Sequence, residues 1–210
     1  MNENEKTLLR LCSDISFYKE NAISLIKSVD INKELIEDER HPNSKSTFLS
    51  KAYSYANIEM VRLLLENGAN PNLIHFEGTP ALQENVFWDM QYNLCDDNDE
   101  ENEIGLQIAQ LMLEYGADPS ITIDKEDLFS YVLSAVFNDD DPKVLWNYRS
   151  RFLILLIAYG GSNSYCKPEI IKEFDKTDMS QYRFKLVSAG DGYHFSGEIV
   201  DGKGEVIAIV

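Results

Sequence analysis

Apolar residues recur along this chain at helical spacing in three places, and each run stops at a glycine. Met60, Val61, Leu64 and Leu65 form one stripe. Gly68 supplies the left-handed turn that ends a helix, and Pro71 keeps the helix from restarting. The same order returns at 106–120, with Gly116 followed by Ala117-Asp-Pro-Ser120, and again at 152–163 around Gly160. Upstream of the first stripe, Thr47-Phe-Leu-Ser-Lys-Ala52 predicts a shorter helix with Thr47 as its N-cap. An earlier, degenerate copy carries Ile23, Leu25 and Ile26 and ends at Val29-Asp30-Ile31-Asn32. The unit is helix, tight turn, helix, extended loop. Such a unit cannot bury its apolar face alone, so it must stack on neighbours.

These units resemble ankyrin repeats. The family's Thr-Pro-Leu-His-x-Ala box is matched at Thr47, Leu49 and Ala52, with Phe48 and Ser50 in place of its proline and histidine. Gly78-Thr79-Pro80 and Ala81-Leu82 repeat the turn in the next unit. Asn70-Pro71-Asn72 and Asp118-Pro119-Ser120 are similar to the loop that leads into each hairpin finger. The resemblance implies a mainly α helix-turn-helix solenoid over residues 1–166, with units at about 5–32, 43–72, 76–120 and 124–164. It also implies protein binding through a concave groove and finger tips, without cofactor or turnover. The contact residues expected on that basis are Tyr55, His75 and Phe76.

An ankyrin unit has about 33 residues, whereas Gly68 to Gly116 spans 48 and Gly116 to Gly160 spans 44. The extra length falls between the two helices of each unit and is acidic. One stretch, 89–103, holds Asp96, Asp97, Asp99, Glu100, Glu101 and Glu103; the other, 138–148, holds Asp139, Asp140 and Asp141. Three readings stand: solvated loops that keep the chain in solution, an acidic docking ridge that steers a basic partner, or a calcium loop around Asp96-x-Asn98-x-Glu100. The last lacks the glycine and the terminal bidentate glutamate such a loop uses.

Net charge sharpens the partner more than the fold. At −17 the chain is the opposite of a basic nucleic-acid footprint, and a basic protein is its electrostatic complement. Direct nucleic-acid and membrane binding are not expected. The longest apolar run, Phe152 to Tyr159, is too short to span a bilayer. Cys12, Cys95 and Cys166 lie far apart without a CxxC spacing, which fits reduced thiols in a cytoplasmic setting. The free protein is expected to be a monomer.

After Lys167 the period changes. Pro168 to Phe174 reads as a short helix. Tyr182, Phe184 and Leu186, then Tyr193, Phe195 and Ile199, alternate with polar residues, and Val206 to Val210 is apolar throughout. With turns at Gly190-Asp-Gly192 and Asp201-Gly-Lys-Gly204, residues 167–210 predict a three-stranded antiparallel meander. It would cap the last repeat; alternatively it pairs an edge strand with a partner chain. Ile207-Ala-Ile-Val210, left as an open edge, would invite aggregation and should be covered.

Catalytic chemistry finds little support. His41, His75 and His194 show no metal-ligand spacing, and no GxSxG, GxGxxG or GxxxxGK[ST] motif occurs. No cofactor or metal is expected. The sequence therefore points to a non-catalytic, acidic adaptor or regulator of a basic protein. An immunity- or antitoxin-type inhibitor of a toxin nuclease is one alternative, and a small enzyme built on the carboxy-terminal segment another.

Overall fold

Among the described residues, four helices open at a side chain that takes up orphan amides of the first turn. In the computed structural model, residues 1–14, 16, 19–36, 45–76, 83–84, 87, 99–123, 125–137, 148–170, 172–188 and 195–210 are described. Helix α1 (Glu3–Cys12) opens with a capping box: Asn2 Oδ1 accepts from Glu5 N at 2.9 Å, and Glu5 Oε2 accepts from Asn2 N at 2.8 Å. Helix α2 covers Lys19–Ile26. Helix α3 (Phe48–Ser54) is capped by Thr47 as expected, and Ser50 answers with its hydroxyl, accepting from Thr47 N at 2.8 Å. Helix α4 (Ile58–Glu66) is capped by Asn57. Helix α5 spans Asp99–Glu114, α6 Leu128–Phe137 and α7 Tyr148–Ala158. Asp127 caps α6, accepting from Ser130 N at 2.7 Å and Ser130 Oγ at 2.6 Å.

Helices α4, α5 and α7 also stop as the pattern requires. Gly68, Gly116 and Gly160 have φ of 94°, 87° and 91°. The next residue then donates back into the helix: Ala69 N to Leu64 O at 3.0 Å, Ala117 N to Met112 O at 2.9 Å, Gly161 N to Leu156 O at 2.7 Å. Loops that follow carry a recurring bond to the neighbouring repeat. Asn32 Nδ2 donates to Gly68 O at 3.1 Å while Asn32 Oδ1 accepts from Asn70 N at 2.8 Å. Asn72 Nδ2 donates to Gly116 O at 2.8 Å, and Ser120 Oγ donates to Ser162 O at 2.6 Å. Two-residue hairpins β1–β2 (Leu35–Ile36 with Lys45–Ser46), β3–β4 (His75–Phe76 with Gln83–Glu84) and β5–β6 (Thr122–Ile123 with Glu126–Asp127) form the fingers.

The contacts group the chain into two units, Met1–Ala117 and Asp118–Val210. In the first, α1 packs on α2 and α3, α3 on α4, and α4 on α5. Leu8, Cys12, Phe48, Met60, Leu64, Ile108 and Met112 are fully enclosed there. In the second, α6 packs on α7 and a sheet lies over α7. That helix is buried at every residue from Phe152 to Ile157, so it needs cover on all sides. The sheet supplies part of it, with Phe184 edge-on to Phe137 at 5.8 Å between ring centres. Gly197 lies beneath that ring, where a Cβ would come within 2.4 Å of it.

The sheet has four strands in the order β7-β10-β9-β8, not the three expected. Strands β8 (Arg183–Ser188), β9 (Phe195–Val200) and β10 (Val206–Ile209) form the predicted meander. The addition is β7 (Glu169–Ile170), inside the stretch expected to be helical. A seven-residue helix is marginal on its own, whereas pairing with Ala208 and Ile209 gives this segment ladder partners. It also covers the edge of β10, so the apolar terminal strand is interior as required. Because α6, α7 and the sheet share one core, close packing divides the chain after Ala117, while the change of sequence period falls near 167. The Gly190-Asp191-Gly192 turn lies outside the described residues; at the other turn, Asp201 Oδ1 accepts from Lys203 N and Glu205 N at 2.9 and 2.8 Å.

Candidate functional site

Helix α3 packs its Phe48, Leu49 and Ala52 inward and ends in the open at Tyr55, which is 48% exposed. The Lys51 ammonium stands 5.4 Å from the Tyr55 ring centre, a cation–π distance that restrains the phenol without covering it. Ala56 follows with φ 52°, turning the chain sharply into Asn57. Asn57 is buried, and its Nδ2 donates to Cys12 O at 3.2 Å and Asp14 O at 3.1 Å while its Oδ1 accepts from Met60 N at 3.1 Å. One side chain thus joins the end of α1 to the start of α4 and fixes the turn that carries Tyr55.

His75 and Phe76 form strand β3 on the second finger, paired with Glu84 and Gln83. Sequence reading missed their neighbours: Ile74 is 40% exposed, and Ile36 on the first finger 41%. A large apolar residue in or just before a finger strand is the sequence signal for them. Lys45 and Glu34 pair at 2.7 Å beside Ile36.

Of the acidic positions, Asp99, Glu100, Glu101 and Glu103 do not belong to a loop. They occupy the first turns of α5, which starts at Asp99 and ends two residues before its glycine, as α4 does. Part of the extra length in this repeat is therefore additional helix at the amino-terminal end. Acidic residues at the start of a helix suit the positive end of its dipole. Asp96, Asp97, Asp139, Asp140 and Asp141 lie outside the described residues, as do Trp88, Cys95, His41 and His194. Phe87 is fully buried, in line with a packing role.

Basic groups gather in the carboxy-terminal unit. Arg183 donates to Ser180 O and Tyr182 O, and Arg151 lies over the Tyr148 ring. Partial burial, then the like charge of Arg151, depress the pKa of Arg183. Among the described residues no group of three or more His, Cys, Asp or Glu is placed to hold a metal ion, and no helix is long and apolar enough to cross a membrane.

Paired helices with a left-handed glycine stop, a loop bonded to the next repeat and a short finger define a helix-turn-helix repeat protein. Residues 46–75 match the family model for the ankyrin repeat. Over 127 residues, 60% of this chain, the sequence is 30% identical to the ankyrin repeat protein named L86 of Acanthamoeba polyphaga mimivirus, and the match covers 22% of that protein. The chain thus spans about a fifth of that relative's length. It is similar to ankyrin repeat proteins, whose repeats are protein–protein interaction modules.

Proposed function

We propose that this protein binds a basic protein partner stoichiometrically, as an adaptor or regulator, with no chemistry of its own. The observation that supports this best is the pairing of an ordered, exposed Tyr55 with an excess of negative charge concentrated in Met1–Ala117. Tyrosine makes a good interface anchor because it offers a large area at a low entropy cost. Net negative charge on this unit raises the encounter rate with a cationic surface. In this reading the helix pairs continue as a solenoid. Tyr55, His75 and Phe76 provide the contact, and the acidic positions between Asp96 and Glu103 and at Asp139–Asp141 provide steering.

The test is co-purification from the native host with wild type, Tyr55→Ala and a variant carrying Asn or Gln at Asp96, Asp97, Asp99, Glu100, Glu101 and Glu103. Far-UV circular dichroism must accompany it, because four of those six residues open α5. A basic protein held by wild type at low salt, released at high salt and lost from Tyr55→Ala supports the reading. A partner retained equally by all three folded proteins refutes it.

A further inference from the structure

We propose that the outer edge of strand β8 is a strand-addition site for an extended partner segment that alternates acidic and apolar residues. Independent of the reading above, this inference rests on the sheet alone. Strand β8 ends the order β7-β10-β9-β8, and at six residues it is three times the length of the opposite edge strand. Its register runs from Arg183 opposite Val200 to Ser188 opposite Phe195. Among the described residues, no backbone hydrogen bond outside that ladder reaches Phe184, Lys185, Leu186 or Val187. In an antiparallel pair every second residue turns its N–H and C=O away from its neighbour. Part of β8 therefore offers donors and acceptors to an incoming strand.

The side chains state what that strand should carry. Phe184 faces inward onto Phe137, and Tyr182 is buried on the same side, so alternate positions of an added strand would extend an apolar floor. Arg183 and Lys185 point to solvent; the Lys185 side chain is 65% exposed and 3.8 Å from Glu198. Cross-strand pairs of opposite charge stabilise a sheet and like pairs destabilise it. Two cations on one edge therefore discourage a second copy of β8 and favour carboxylates at alternate positions of a foreign strand. In a chain of net charge −17 this edge is a locally basic exception.

The probe is a blocked peptide of about eight residues alternating Glu and Val, with a Lys–Val peptide as control, and the readout is amide hydrogen exchange on the full chain. Slower exchange at Phe184–Val187 with the Glu–Val peptide only is the expected result. Lys185→Glu should weaken that binding at least about fivefold and Lys185→Ala less, as one exposed charge contact of about 1 kcal/mol predicts. Circular dichroism confirms that both variants fold. Protection elsewhere, equal protection by the Lys–Val peptide, or no protection at all overturns the proposal. Protection that grows with protein concentration without peptide also overturns it, by naming a second copy as the occupant.

Discussion

Replacing Asn57 with Ala removes two things at once. Helix α4 loses its cap on Met60 N, which costs about 1 kcal/mol. The carbonyls of Cys12, on a buried residue, and Asp14, on an exposed one, each lose the Asn57 amide, whose own residue is only 2% exposed. The amide has two hydrogens for these two oxygens. A third contact, Leu11 O at 3.4 Å, is the longest and already receives Asp14 N. Removing the amide from the one buried acceptor, Cys12 O, costs about 1–3 kcal/mol, so with the lost cap Asn57→Ala should destabilise the first unit by about 2–4 kcal/mol. Asn57→Asp separates the two effects. Its carboxylate still caps Met60 but turns a second oxygen toward the carbonyls, so at pH 7 it should be no better than Ala. That repulsion raises the folded-state pKa of the new carboxyl. Stability is then greatest below the unfolded value, about 3.9, where the acid is protonated and donates, and it is lost as pH rises through the folded value. Urea unfolding of wild type and both variants at pH 4 and 7, followed by far-UV circular dichroism, measures all of this. A loss under about 1 kcal/mol for Asn57→Ala, or an Asn57→Asp protein that matches wild type at pH 7, refutes the reasoning.

Other expectations follow from single features. The Glu5 carboxyl sits below its ordinary range because Lys33 Nζ donates to it at 2.7 Å and Asn2 N also does so. Its contribution is complete above the unfolded value, about 4.3, and is lost as pH falls through the folded one, so Glu5→Gln should flatten the acid limb of a stability–pH curve. Ala56→Gly relieves a left-handed residue and should raise the urea midpoint, the relief of about 1–2 kcal/mol exceeding glycine's entropic cost of about 0.4–1 kcal/mol. Gly161→Ala should cost more than Gly160→Ala in the same assay. A Cβ at Gly160 meets nothing within 4 Å and pays only for its φ of 91°, whereas one at Gly161 comes within 2.8 Å of Leu156 O. Neutralising Asp99, Glu100, Glu101 and Glu103 together should lower the thermal midpoint with no partner present, each charge contributing about 0.3–1 kcal/mol to the start of α5.

Local chemistry was legible in the sequence. Thr47 announced its cap, the three glycines their turns, and the alternation from Tyr182 its strands, because each signal needs only neighbours along the chain. Nothing local says that Glu169 and Ile170 will pair with Ile209 and Ala208, since that choice depends on an edge formed about forty residues later. An acidic run reads as a loop because its charge is conspicuous, while the helix that begins at Asp99 is anchored by burial further along, at Ile108 and Met112. Asn57 carried an ordinary N-cap signal; its bonds to α1 depend on tertiary contact. The partner surface was the least legible, because exposure leaves little pattern in a sequence.

The bonds from Asn32, Asn72 and Ser120 have a consequence for how such a chain can change. Each is indexed from the end of a repeat's second helix, and each reaches the residues just after the corresponding point in the next repeat. Residues gained between the two helices of a repeat lie outside that registration. Lengthening such a loop adds closure entropy only logarithmically. Spacings of 48 and 44 residues can therefore stand where about 33 would do, while a bond from the same point of each loop is kept. The inter-helix segments are free to diversify while the seams stay fixed.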